Sequence, residues 1–117
     1  MSTALQYGIM VKLEFYPAWL RLARTERREL AQDMYEIIGR YAGKVEVEFY
    51  DADALHGGFT DFVICRTEDM KHYHYMWEEI RDTRAYAGGY VKIVDVTIGI
   101  RDAHRAYEAE ALGMDES

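Results

Sequence analysis

Residues Gln6–Leu22, QYGIMVKLEFYPAWLRL, read as one strand brought to a stop by a proline. Tyr7, Ile9, Val11, Leu13 and Phe15 alternate with Gly8, Met10, Lys12, Glu14 and Tyr16. That period of two belongs to a strand buried on at least one face. Pro17 ends the run, because proline cannot donate to a ladder and suits the first turn of a helix. Ala18-Trp19-Leu20-Arg21-Leu22 then reads as a short helical turn carrying a large aromatic.

The rest of the chain repeats two periods. Thr25 is the expected N-cap of a first long helix, with Glu26 in its opening turn. Leu30, Met34, Ile37, Ile38 and Tyr41 fall on one stripe, opposite Glu29, Gln32, Glu36 and Arg40, and Gly43 is the expected stop. Lys44–Tyr50 alternates as a second strand, Asp51–Gly58 is rich in turn formers, and Phe59–Arg66 alternates as a third strand. Thr67 is the expected cap of a second helix with an inner stripe of Met70, Tyr73, Trp77 and Ile80. His74 and Met76 stand at its borders, and His72, Tyr75 and Glu79 point outward. The helix is expected to fray over Thr83–Gly89, ahead of a fourth strand at Tyr90–Ile100. On that strand Val94, Val96, Ile98 and Ile100 are expected to share one face, and Ile93, Asp95 and Thr97 the other.

The order strand-helix-strand-strand-helix-strand is the split βαβ, ferredoxin-like arrangement. The expectation is an α+β fold, βαββαβ, with a four-stranded antiparallel sheet and two helices on one face. Residues 1–101 form that domain, with Met1–Leu5 a loose end. Residues 102–117 form an acidic tail, a short helix around Asp102–Leu112 or disordered. The uncovered sheet face calls for a second sheet, so a homodimer is expected.

Composition narrows the function classes. A net charge of −7 argues against nucleic acid, whose phosphates need a basic surface. Arg21, Arg24, Arg27 and Arg28 cluster, but Glu26 and Glu29 interrupt them as on a solvated helix face. No apolar run has the length of a membrane span, and the N-terminus lacks a basic-then-apolar signal pattern. Cys65 is the one cysteine, which rules out an internal disulfide and fits a reducing cytoplasm.

The strand running into Pro17-Ala18-Trp19-Leu20-Arg21-Leu22, with Thr25-Glu26-Arg27-Arg28 opening a helix, resembles the darcynin family, over residues up to about Arg101. The resemblance implies a small bacterial protein of the dimeric α/β-barrel type. More distant barrels of that type include cofactor-free monooxygenases, isomerases, polyketide cyclases and haem enzymes. A choice among them by fold alone is analogy.

Candidate chemistry is sparse. His72 and His74, two apart on a helix, point roughly 160–200° away from each other and cannot share a metal. No other pair has ligand spacing, so no metal site is expected. His74, at the edge of the stripe, is a candidate general acid or base, against the simpler reading of a hydrogen-bonded residue at the core margin. Asp61 is the alternative base: Lys12, Glu14, Asp61 and Asp95 all lie inside strands, where a charge is either solvated or paired. An inter-subunit salt-bridge network is the plainer account of those four. Tyr16, Trp19, Trp77 and Tyr90 are candidate substrate-binding residues, although Trp77 sits where plain core is the first reading. His56-Gly57-Gly58 reads as a turn, lacking the strand-then-helix setting of a phosphate loop, and Cys65 as an inert buried thiol.

These readings add up to a cytoplasmic homodimer with an apolar pocket rimmed by Tyr16, Trp19, His74 and Tyr90. It would act without cofactor on a small, flat, hydrophobic metabolite through His74 or Asp61. A non-catalytic metabolite-binding module and a purely structural dimer are the alternatives.

Overall fold

The computed structural model describes residues 5–114. Its elements are β1 (Tyr7–Phe15), α1 (Pro17–Leu20), α2 (Arg24–Tyr41), β2 (Val45–Asp51), β3 (Asp61–Thr67), α3 (Met70–Arg81), α4 (Arg84–Ala87), β4 (Val91–Ile100) and α5 (Ala103–Leu112). The four strands form one antiparallel sheet in the order β2-β3-β1-β4. This is the expected ferredoxin-like α+β arrangement, with β1 central.

The odd-numbered residues of β1 drive the packing. Ile9 and Val11 are fully buried and Leu13 nearly so, beside Val63 and Cys65 of β3 and Val45 of β2. Met34 and Ile37 of α2, and Met76, Trp77 and Ile80 of α3, close over that face. Met76, expected at the border of the α3 stripe, is fully buried. Two cross-helix contacts tie α2 to α3: the Glu79 carboxylate accepts from Arg40 and from the Tyr41 hydroxyl, both at 2.6 Å. Glu79 therefore faces the neighbouring helix and does not point outward as its place on the stripe suggests.

Several local expectations are corrected. Thr25 lies inside α2, whose N-cap is Ala23; the Glu26 carboxylate turns back to accept from the Ala23 N–H at 3.4 Å. Asp69 caps α3, accepting from the Lys71 N–H at 2.9 Å. Thr67 closes β3 instead, donating its hydroxyl to the Lys44 carbonyl at 2.8 Å. α2 ends at Ala42 in a right-handed conformation, so Gly43 does not act as a left-handed stop. Thr83–Gly89 is ordered: Thr83 caps α4, Ala85 is fully buried, and Arg84 makes a two-pronged contact to Asp33 of α2 at 2.9 and 3.1 Å. Gly89, at φ +83°, makes the turn into β4 that a side chain would strain.

The fourth strand departs from simple alternation. Lys12 pairs with Asp95, but Leu13 pairs with Ile93, which leaves Val94 as an extra residue in a bulge. Ile93 thus joins Leu13 on the helix side, the same side as Val96, Ile98 and Ile100, and Val94 drops out of that set. The opposite sheet face carries Met10, Phe62 and Ile64, all half-buried, between the ion pairs Lys12–Asp95 (3.5 Å) and Glu48–Arg66. Lys12 and Asp95 are therefore partners within one subunit.

Candidate functional site

The sheet's end opens where Pro17 stops β1. Tyr16 is extended (φ −80°, ψ 161°), and Pro17 begins the single turn of α1, closed by the Trp19 N–H donating to the Tyr16 carbonyl at 2.8 Å. The Tyr16 N–H donates to the Tyr90 carbonyl at 2.9 Å and so holds the end of β1 to the start of β4. Trp19 is thereby set between Phe15 (ring centroids 5.3 Å) and Tyr90 (6.0 Å, edge-on).

On the other side, Thr60 pins the β2–β3 connection across β1. Its hydroxyl accepts from the Phe15 N–H at 2.9 Å and donates to the Leu13 carbonyl at 3.3 Å. Next to it, Asp61 begins β3 directly opposite Asp51 at the end of β2. The space between these two structures is an open cleft of about 620 Å³. Its walls are apolar, from Phe15, Trp19, Met34, Tyr35 and Phe49; its floor and rim are acidic, from Glu14, Asp51, Asp53 and Asp61. Burial pushes the Asp61 carboxyl above the usual carboxylate range. The proximity of Thr60, whose hydroxyl proton goes to the Leu13 carbonyl, offsets this only in part, and the negative charges of Asp51, Asp53 and Glu14 push the same way as burial.

The candidates named from sequence divide. Asp61, Tyr16 and Trp19 meet at this cleft. Tyr90 stands behind Trp19, supporting its ring. Trp77 is in the core, 8% exposed, with its Nε1 buried and without a hydrogen-bond partner. His74 is not at the rim: its side chain is 67% exposed on α3, with Nε2 3.5 Å from Glu78. An i, i+4 carboxylate and open solvent surround it, because its border position on the stripe turns away from the sheet. His72 is 3.6 Å from Asp69, and His56 stacks near Phe59 while its Nδ1 accepts from the Gly58 N–H at 2.8 Å. Cys65 is fully buried, and burial pushes its thiol up to about 12; the Trp77 indole nearby offsets this slightly without reaching hydrogen-bond geometry.

Sequence reasoning missed Asp51, Asp53, Tyr35 and Phe49. The available signal was two aspartates two apart at a strand end, which reads as turn chemistry until β3 brings Asp61 alongside.

A ferredoxin-like α+β domain with an acidic, aromatic-walled cleft at the Pro17 end of its sheet is the class defined by this geometry. Solved structures share the fold. A novel haem-binding protein from Thermus thermophilus matches 96% of this chain at a TM-score of 0.78 and 21% identity. Chlorite dismutase from Candidatus Nitrospira defluvii, in complex with imidazole, matches 92% at 0.74 and 14%. The chain spans 46% and 45% of those two chains, so the likeness is to about half of each and is one of fold.

The chain belongs to the darcynin family: residues 2–115 match the family described as Darcynin, domain of unknown function. Darcynin 1 of Acinetobacter baumannii is 27% identical over 90 residues, 77% of this chain and all of that protein. Darcynin of Chromobacterium violaceum is 27% identical over 77 residues, 66% of this chain and 96% of that protein.

Proposed function

We propose that this darcynin handles a small molecule in the Trp19–Asp61 cleft, as a cofactor-free enzyme in which Asp61 is the general base. The observation that carries the reading is the Asp61 carboxyl, held above its ordinary range at the floor of a 620 Å³ cleft with aromatic walls. A base whose proton affinity is raised toward neutrality is better matched to proton abstraction. The substrate lies flat against Trp19, and loss of its proton to Asp61 leads to oxidation, isomerisation or cyclisation. His74, exposed and apart from the cleft, takes no part. The protein works as a homodimer in the reducing cytoplasm, where a free buried Cys65 is at home.

Haem, the ligand of the Thermus protein, does not fit here. Between sheet and helices the space lined by Leu13, Met76 and Trp77 is about 20 Å³, room for roughly one water. In the outer cleft the two propionates of a haem would face four carboxylates, and no histidine or cysteine lines it among the described residues.

The base is tested with 5-nitrobenzisoxazole, a flat apolar probe that ring-opens when a carboxylate removes its C–H proton. The N–O bond breaks and a coloured cyanophenolate leaves. The protein is expected to accelerate this well above acetate at equal concentration, with a rate that rises as Asp61 ionises. Asp61→Asn is expected to lower the rate at least tenfold while the fold stays intact by circular dichroism, and His74→Ala to leave it unchanged. Equal rates for wild type and Asp61→Asn would remove the base and leave the binding-module reading.

A further inference from the structure

We propose that the molecule bound in the cleft is an organic cation, an ammonium group carried on a flat aromatic or aliphatic body. This rests on the reading of the cleft as a small-molecule site and names the chemical class it takes.

Three features of the cleft favour positive charge, the first two sharing Asp51 and Asp61. The first is the balance of its lining: Glu14, Asp51, Asp53 and Asp61 face one cation, Arg27, whose Nε already donates to the Leu22 carbonyl at 3.2 Å. The second is register. Asp51 and Asp61 are direct cross-strand partners at the end of the sheet, and like charges placed opposite each other destabilise a strand pair. Asp51 Oδ1 accepts from the Asp53 N–H at 3.2 Å, which holds the turn but leaves the charge of Asp61 opposite it unpaired by any basic side chain among the described residues. A cation seated between them relieves the repulsion. The third is the wall. Tyr35 and Phe49 meet edge-on at 5.8 Å and remain 53% and 40% exposed, so their rings are open to a guest. With Trp19 they offer π faces, which attract ammonium groups.

The same geometry separates an organic cation from a metal ion. A metal needs three or more ligands converging on one point at about 2 Å. Among the described residues no three His, Cys, Asp or Glu side chains converge in that way. The carboxylates are instead spread along the floor and rim of a large, partly apolar space, which suits a bulky charge that keeps its hydrocarbon against the aromatic wall. An anionic ligand meets uncompensated repulsion.

Three probes with one skeleton test this on the full chain: 2-phenylethylamine, 2-phenylethanol and phenylacetate. Binding is followed by the NMR shift of the Trp19 indole N–H, assigned with Trp19→Phe, with the buried Trp77 indole as internal control. The amine is expected to bind at least tenfold more tightly than the alcohol at low salt, and phenylacetate not at all. Added salt should narrow the gap. In the double variant Asp51→Asn/Asp53→Asn the amine should fall to the affinity of the alcohol, and the alcohol should be unaffected. Should that variant fail to fold, the three-probe and salt series on the wild-type chain decides the matter. Equal binding of amine and alcohol overturns the cationic class and leaves the cleft reading standing. Absence of any Trp19 shift with all three probes overturns both.

Discussion

Asp61 and His74 show how much a residue's chemistry depends on what folds around it. Histidine is the usual first choice for proton transfer near neutral pH. Here it is solvated and paired along its own helix, whereas an aspartate at a strand end is half-buried among other carboxylates. Cys65 illustrates the converse: a nucleophilic residue type silenced by its setting. With burial pushing the thiol up to about 12, the thiolate is scarce at neutral pH. The folded protein at pH 8 is therefore expected to react with Ellman's reagent only as fast as it unfolds, and the urea-denatured chain at once. Rapid labelling of the folded protein, followed by the colour the reagent releases, would contradict a sealed core at this position.

At the scale of elements, helices are joined to helices by charge and to the sheet by apolar packing. Arg40 and Tyr41 of α2 converge on Glu79 of α3, while Arg84 brings α4 to Asp33 of α2. Hydrogen bonds from Arg40 and Tyr41 hold the Glu79 carboxyl below its ordinary range. A depressed carboxylate adds stability above its unfolded value, and that contribution disappears as pH falls through the folded one. Glu79→Gln is thus expected to lower Tm slightly at pH 7, by roughly 1–3 °C because the pair is solvent-screened. The difference should close below the carboxylate range, about pH 3–4. Calorimetry across that range checks it, and a deficit that persists undiminished in acid would assign the contact to packing.

The whole molecule is more extended than a self-contained domain of its length. Its radius of gyration is 17.2 Å, against about 13 Å expected for a compact chain of this size. Apolar surface is left open with it: α5 has no buried residue, and the far half of β4 leaves Val96, Ile98 and Ile100 between 39% and 51% exposed. The bare sheet face, with Met10, Phe62 and Ile64 at its centre, is where the proposed second copy packs. Ile64→Lys puts a charge in the middle of that face, away from the helices. It is expected to convert a dimer to a monomer in sedimentation velocity, at little cost to the monomer's secondary structure. An unchanged sedimentation coefficient would place any dimer contact elsewhere.

Alternation along Gln6–Tyr16, the two helical stripes and the order of elements were enough, from sequence alone, to specify the ferredoxin-like sheet and its helix-covered face. Period and proline are local properties, and burial follows them almost one residue at a time. Three things belonged to the tertiary structure. The bulge at Val94 is a shift in the register of β4 against β1 between Lys12 and Leu13, and no neighbour in sequence announces it. The cap at Asp69 depends on β3 ending at Thr67, whose hydroxyl is committed to the Lys44 carbonyl of the neighbouring segment. The cleft depends on residues far apart in the chain: Trp19 follows β1, Tyr35 lies on α2, and Asp51 and Asp61 are brought together by register. A site assembled from five elements leaves no single motif, because its chemistry exists only once the sheet has set those side chains beside one another.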